Sequence, residues 1–145
     1  MKNQDKKQEG KRSEMYKIVT IDSTDYEILS TYAVIRKCNS HQSMLNIPNQ
    51  VENKPVKKIL GYAFSTCDGL EEVALPDSIT YIGAYAFDHC KNLKRITLPS
   101  SLQHIGAYAL GNCPQLEEII LKEKAEIEID ASVFKNSNNA KIIYR

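Results

Sequence analysis

The chain has 145 residues, a hydrophobic content of 42% and a formal net charge of +1 at pH 7. These values indicate one domain with enough apolar side chains for a core, and they argue against a nucleic-acid partner, which usually needs a concentrated basic face. No apolar run reaches the roughly 20 residues of a membrane-spanning helix, so we expect no membrane insertion.

The first stretch, residues 1–14, is polar, and Met1 is its one apolar residue. This composition predicts a flexible tail. It does not fit a signal peptide, because no apolar h-region follows the charged residues. The compartment is therefore open: either the protein stays inside the cell, or it once followed a leader that this sequence does not contain.

The next stretch, residues 15–43, predicts a β-rich N-terminal cap. Three segments, 16–21, 26–29 and 32–38, are rich in Tyr, Ile and Val, as strands are, and a Ser-Thr-Asp turn signal separates the first two. The repeats that follow need such a cover, since the open edge of a stack would pair with other chains.

Repeats then dominate the chain. Two 23-residue units, 76–98 and 99–121, follow each other and match at 11 of 23 positions. The same frame extends back to Gly61 and, with one extra residue, forward to Ser137. A period of roughly 20–29 residues is typical of leucine-rich-repeat solenoids. We therefore predict a solenoid over residues 44–145, with about four 23-residue coils stacked on a parallel strand face and an altered C-terminal coil.

Each coil is expected to close a narrow core between two walls. Leu93, Ile96 and Leu98 form one wall, and the last two alternate with polar residues, as in a strand buried on one face. Ile82 and Phe87 turn inward from the opposite wall. No coil buries this core alone, so stacking closes it at roughly 4.8 Å per strand-to-strand step.

Small residues recur at fixed places in the coil. Gly83 lies where the chain leaves the Ile strand, which predicts a tight turn. Cys67, Cys90 and Cys113 recur at the repeat spacing, and stacked coils would bring their Cα atoms to about 5 Å, within disulfide range. We favour buried free thiols, with disulfides as the alternative, because the next coil carries Ser137 at this position.

The repeat resembles that of the BspA-like, or Treponema pallidum-type, leucine-rich repeats, which read roughly Leu-x-x-Ile-x-Leu-Pro-x-x-Leu-x-x-Ile-Gly-x-x-Ala-Phe-x-x-Cys. Residues 70–90 and 93–113 carry this motif, with Leu110 in place of Phe, and the resemblance covers about residues 44–145. It implies a bacterial or protozoan protein of the cell surface or a secreted one, and for some members an adhesin function.

The sequence contains no recognisable enzyme motif. A Walker loop, Gly-x-Gly-x-x-Gly, His-Glu-x-x-His and Gly-x-Ser-x-Gly are all missing. His89 and Cys90 suggest a metal pair, but adjacent residues of an extended segment point to opposite sides. We therefore predict no enzyme, no cofactor and no metal site.

Two columns of charged residues are expected on the strand face, each with the order acid, base, acid at the repeat spacing. The first charge column is Glu71, Lys94 and Glu117, and the second charge column is Glu72, Arg95 and Glu118. Neighbours on parallel strands can form ion pairs. The columns therefore serve either register and solubility or the recognition of a partner.

An aromatic column follows the same spacing. We define the tyrosine ladder as Tyr62, Tyr85 and Tyr108, each of which lies between inward-facing positions and should sit at the coil surface. Tyr81 and His104 form a shorter column nearby. Rings about 5 Å apart can stack, and Tyr is favoured at interfaces. The ladder is thus a second candidate binding site, with simple self-stacking as the alternative.

These observations favour a non-catalytic protein–protein interaction module, of the cell-surface adhesin type by the resemblance, with a protein partner such as a host or matrix protein. The alternative is a structural or assembly protein that oligomerises through its exposed surfaces. Light scattering separates the two, since only the second forms concentration-dependent oligomers.

Overall fold

The computed structural model describes residues 16–145, so the tail predicted for residues 1–14 lies outside the described residues. These residues form twelve strands and one short 3-10 helix, Ala131–Phe134. The strands are, in chain order, β1 Lys17–Ile21, β2 Thr24–Ile28, β3 Ala33–Cys38, β4 Met44–Asn46, β5 Gln50–Val51, β6 Lys54–Ile59, β7 Glu72–Ala74, β8 Tyr81–Ile82, β9 Arg95–Leu98, β10 His104–Ile105, β11 Glu118–Leu121 and β12 Lys141–Tyr144.

One wall of the solenoid is a parallel sheet, which we call the strand-face sheet. Its order is β12-β11-β9-β7-β4, and its inward row runs from Val73 through Ile96 to Ile119 and Ile142. The predicted parallel strand face is confirmed. The predicted count of about four coils is too low, because the sheet has five strands. The outer strands β4 and β12 lack the full motif beside them, so counting motifs missed a coil.

The opposite wall is a second sheet, which we call the cap sheet. Its order is β1-β2-β3-β6-β8-β10, and β5 pairs with β6. The first three strands are antiparallel and match the strands predicted for the cap with small shifts at their ends. β3 then pairs in parallel with β6, and the coil strands continue from there. The cap is therefore continuous with this wall. Its predicted boundary at residue 43 stays a prediction.

The core lies between the two sheets, as predicted. Leu93, Ile96 and Leu98 on one side and Ile82 and Phe87 on the other are fully buried. The Phe87 ring stacks on the Phe ring of the preceding coil at a centroid distance of 4.6 Å. Because one core runs through all the coils, each coil depends on its neighbours for burial.

Glycine is needed at these repeat positions for a different reason from the tight turn predicted from the sequence. No described glycine has a positive φ, so Gly83 does not supply a left-handed turn. A Cβ on Gly83 would instead lie 2.5 Å from the backbone nitrogen of Gly61 in the preceding coil, and one on Gly106 would meet the backbone of Ala84. Glycine is needed here because the backbones of successive coils approach too closely for a side chain.

The recurring cysteines are buried free thiols, as we favoured. The column also has a polar function. Cys90 Sγ donates to Phe64 O at 3.0 Å, and Cys113 Sγ lies 3.3 Å from Phe87 O, in each case a carbonyl of the preceding coil. Ser137 Oγ donates to Leu110 O in the same way, at 2.7 Å. Serine can therefore replace cysteine at this position because both are small hydrogen-bond donors.

Candidate functional site

The second charge column lies on the outer surface of the strand-face sheet. Glu72, Arg95 and Glu118 begin β7, β9 and β11 and are direct neighbours in the parallel register. Each precedes an inward-facing residue in its strand, so its own side chain points to solvent. The predicted juxtaposition of these three residues is therefore present.

Arg95 connects the whole second charge column. Its Nη1 donates to Glu72 Oε1, and its Nε donates to Glu118 Oε1 at 3.2 Å. These two carboxylates, Glu72 first, raise the pKa of the guanidinium. Arg145 Nη2 lies 3.7 Å from Glu118 Oε2 and extends the column by one residue. Sequence reasoning missed Arg145, because it follows the last strand and does not keep the repeat spacing.

The first charge column lies just outside the strands. Glu71, Lys94 and Glu117 immediately precede β7, β9 and β11. Lys94 N donates to Glu71 O at 2.8 Å, and Glu117 N donates to Lys94 O at 2.9 Å. Lys94 Nζ forms an ion pair with Glu71 Oε1 at 3.1 Å. Within residues 16–145, Glu117 has no ion pair, so this column is joined on one side only.

The charges of both columns therefore satisfy one another to a large extent. Such exposed ion pairs contribute little to stability, because water and salt screen them. They also reduce the charge that the face offers to a partner, since Arg95 already contacts two carboxylates. Register and solubility explain the second column without any partner.

The tyrosine ladder is a continuous stack of rings. The centroids of Tyr62 and Tyr85 are 5.0 Å apart with an interplanar angle of 1°, and those of Tyr85 and Tyr108 are 5.1 Å apart at 13°. Tyr62 is 56% exposed, and the other two are half-buried. The rings cover one another's faces and leave their edges to solvent, as predicted for surface positions. Ser132 follows in the next coil, so the stack ends at Tyr108.

The backbone places these tyrosines in an unusual conformation. Tyr62, Tyr85 and Tyr108 have φ values of 62°, 62° and 59°, in the left-handed region that bulky residues rarely adopt. Backbone bonds to the next coil hold the turn: Tyr85 N donates to Ala107 O at 3.1 Å, and Tyr108 N to Ser132 O at 2.9 Å. The turn thus presents each ring at the surface, and stacking on its neighbours offsets part of the strain.

A second aromatic column crosses the outer surface of the cap sheet. The Tyr81 and His104 rings stack at 4.6 Å, as the sequence suggested. Lys58 Nζ lies 5.3 Å from the Tyr81 centroid and 5.5 Å from that of Tyr32, a cation–π arrangement on both sides. Lys58 also lies one repeat before Tyr81 in the sequence, so the repeat spacing could have identified it.

The histidine next to Cys90 does not form a metal pair with it. His89 is exposed, and its Nδ1 is 2.8 Å from Asp88 Oδ2, whereas Cys90 is buried. Across residues 16–145, no cluster of three or more His, Cys, Asp or Glu side chains is arranged to bind a metal. Over the same residues, no helix has the length and apolar character to cross a bilayer.

Comparison with solved structures identifies proteins of the same architecture. The chain aligns with the leucine-rich repeat protein of T. pallidum at 22% identity, with a TM-score of 0.62, over 91% of this chain and 63% of that one. A leucine-rich repeat protein of Bacteroides capillosus aligns at 25% identity with a TM-score of 0.73, over 88% of this chain and 98% of that one.

A third structure, a leucine rich cell surface protein of Faecalibacterium prausnitzii, is 26% identical, with a TM-score of 0.58, over 88% of this chain. This chain spans only 39% of that protein. None of the curated proteins compared matches the chain. The sequence model of the BspA type leucine rich repeat region matches residues 36–145 in 6 copies. The chain therefore belongs to the BspA-type leucine-rich repeat family.

Proposed function

We propose that this chain is a non-catalytic protein–protein interaction module that binds its partner through the tyrosine ladder and the turns beside it. Leucine-rich repeats commonly mediate protein–protein interaction. The observation that supports this site is the ring stack at the surface, with Tyr62 exposed and Tyr85 and Tyr108 half-buried, on turns that hold these residues at positive φ. Tyrosine supplies both apolar area and a hydroxyl at interfaces.

The size of the strand face supports a site that includes the turns. Five strands spaced ~4.8 Å apart, each about four residues long, give roughly 300 Å² of flat surface. A standard interface buries about 800 Å² per partner. The turn that carries Tyr85 leads from β8 to β9, so the tyrosine ladder and the charge columns lie at the two ends of the same connecting segment. A partner that contacts this segment as well as the strand face can bury the area that the strand face alone does not provide.

The proposed setting is the cell surface, with a host or matrix protein as the partner. One similar structure is of a leucine rich cell surface protein from a bacterium, although this chain spans 39% of its length. A short solenoid fits weak, multivalent binding better than tight binding of a single copy, because several linked copies raise the effective concentration.

The experiment uses immobilised extracellular-matrix extract and the purified chain, with binding followed by biolayer interferometry. One double variant, Tyr85→Asn with Tyr108→Asn, removes the rings and keeps residues that accept a left-handed backbone. We expect it to bind at least about tenfold more weakly, which corresponds to ~1.4 kcal/mol. The matched control, Tyr81→Asn with His104→Asn, removes the stacked pair on the cap sheet and should bind like the wild type.

A charge variant tests the competing site. Lys94→Glu with Arg95→Glu makes both charge columns acidic, so like charges meet across adjacent strands. We expect a modest loss of stability and little loss of binding. If this variant loses binding while the tyrosine variant keeps it, with both folded by circular dichroism, the strand face is the site and our assignment is wrong.

A second candidate function is assembly from copies of this chain. Among residues 16–145, the edge strand β1 pairs with β2 only, and it exposes Ile18 at 42% and Ile21 at 37%. Apolar edge strands pair readily with other strands, and a second copy offers the same edge. Light scattering across a concentration series should then show a dimer that Ile18→Lys abolishes. A monomer at all concentrations excludes this function.

A further inference from the structure

The cysteine column has an irregular first member. Cys67 has no regular coil before it, and its neighbour is Cys38 at the end of β3, which comes 29 residues earlier in the chain. Cys67 Sγ donates to Cys38 O at 3.6 Å, so the two cysteines lie side by side.

The two thiols line a cleft that opens to solvent. The cleft has a volume of about 260 Å³ and lies between the end of the cap and the first turn of the regular coils. Its polar lining includes Lys37, Ser40 and His41. Cys67 is 7% exposed and Cys38 is 2% exposed, whereas Cys90 and Cys113 are fully buried. The cleft therefore gives a small reagent a path toward this pair, and Cys90 and Cys113 do not line it.

The surroundings of Cys38 favour its thiolate. The adjacent Cys67 thiol has the largest effect, followed by Thr24 Oγ1, which donates to Cys38 Sγ at 3.4 Å, the backbone of Ser40 and the charge of Lys37. Together these groups hold the pKa of Cys38 below its usual value against the opposing effect of burial. The hydrogen bond to Cys38 raises the pKa of Cys67, so Cys67 keeps its proton.

The deeper cysteines have the opposite environment. Burial raises the pKa of Cys90 to about 12 and that of Cys113 to about 11. Because the thiolate is the nucleophile, both should be inert. The chain therefore combines one activated thiol, one adjacent thiol and two unreactive thiols.

We propose that Cys38 and Cys67 form a thiol modification site that reacts with a hydroperoxide and then joins the cap to the first regular coil by a disulfide. This site is independent of the proposed tyrosine interface. Cys38 supplies the attacking sulfur, and Cys67 is the resolving thiol.

The reaction has two steps. The Cys38 thiolate attacks one peroxide oxygen, the O–O bond breaks, and the leaving alkoxide or hydroxide takes a proton, so that sulfur loses two electrons and becomes a sulfenic acid. The Cys67 sulfur then gives up its proton and attacks Cys38 Sγ, the S–O bond breaks, and water leaves. Two thiols and one hydroperoxide thus yield one disulfide, one alcohol or water, and one further water.

The test treats the folded, reduced full-length chain with hydrogen peroxide and then unfolds and alkylates it without reductant. Digestion combines trypsin with a protease that cleaves before aspartate, because cleavage before Asp68 and Asp88 separates Cys67 from Cys90. We expect mass spectrometry to find one link, between Cys38 and Cys67, with Cys90 and Cys113 alkylated. Free Cys38 and Cys67 after treatment, or a link that involves another cysteine, overturns the proposal.

Variants establish the order of events. In Cys67→Ser, the Cys38 sulfenic acid has no resolving thiol and should be trapped by dimedone. In Cys38→Ser, dimedone should label no cysteine. Cys90→Ser is the matched control, because Ser137 shows that serine fits this position of the coil, and it should form the same link as the wild type. Dimedone labelling of Cys67 in Cys38→Ser would overturn the assigned roles.

Discussion

Removal of the Ser137 hydroxyl tests how the turns of the last two coils are connected. Ser137 is buried, and its Oγ accepts from Cys113 N at 2.9 Å and donates to Leu110 O at 2.7 Å. Ser137→Ala deletes both hydrogen bonds. If the backbone could not relax, an N–H and a carbonyl would each lose their partner, at roughly 1–3 kcal/mol per group.

The earlier coils indicate how far the backbone can relax. There Cys67 N donates directly to Phe64 O at 3.2 Å, and that carbonyl also accepts from Cys90 Sγ at 3.0 Å. In the alanine variant, Cys113 N can reach its own equivalent carbonyl in the same way, so one hydrogen bond is lost rather than two groups. We therefore expect Ser137→Ala to lower the free energy of unfolding by about 1–2 kcal/mol.

Thermal and urea denaturation followed by circular dichroism measure this loss. For a chain of this length, ~1–2 kcal/mol corresponds to a fall in Tm of about 3–8 °C. The matched control is Ser137→Cys, which restores the donor used in the other coils and should stay within about 1 kcal/mol of the wild type. A Ser137→Ala variant as stable as the wild type, or a cysteine variant as unstable as alanine, would refute the reasoning.

Three further substitutions test the core, the coil contacts and the last turn. Ile96→Asp should unfold the whole domain, because the loss of the buried apolar side chain alone costs roughly 2–5 kcal/mol and the buried charge has no partner. The control is Thr97→Asp, at a half-exposed position of the same strand, which should melt near the wild type. Equal Tm values for the two variants would contradict this prediction. Gly83→Ala should lower the free energy of unfolding, measured by urea denaturation, by ~1–3 kcal/mol or more, because the added Cβ would overlap the backbone of Gly61. The Ser132 N–H lowers the pKa of Asp130 below 3.8, so the stabilising effect of this carboxylate is complete above pH 3.8 and is lost as the pH falls through the lowered pKa. Asp130→Asn should therefore flatten the acidic part of a plot of Tm against pH. An unchanged plot would argue against this role of Asp130.

The sequence predicts the central coils well because their residues repeat in register. Ile96 and its equivalents are one repeat apart in the sequence, and this constant spacing places them in one row of the strand-face sheet. The tyrosine ladder and the second charge column follow from the same rule. Periodicity is a strong signal here because each coil must present the same side chains to the same shared core.

The cap sheet could be predicted only in part: its first three strands follow from the residue pattern, but their continuation into the coil strands does not. Its coil strands β8 and β10 have two residues each, too few to show an alternating pattern. The hairpin of β5 and β6 also interrupts the repeat, so the separation of Cys38 and Cys67 in the sequence is longer than one repeat. Contacts made across such an insertion have no fixed period, so the pairing of these two thiols appears only in three dimensions.

The N-terminal end of the stack therefore gives its cysteines a different environment from that in the middle. Cys67, Cys90 and Cys113 occupy one repeat position, yet the regular coils on both sides of Cys90 exclude solvent and raise the pKa of its thiol. Cys67 has the cap on one side, where Cys38 and an open cleft replace the regular neighbour. The position in the repeat fixes how a side chain packs, whereas the position in the stack fixes what it can react with. In a short solenoid a large share of the residues lies next to an end, so such differences affect much of the molecule.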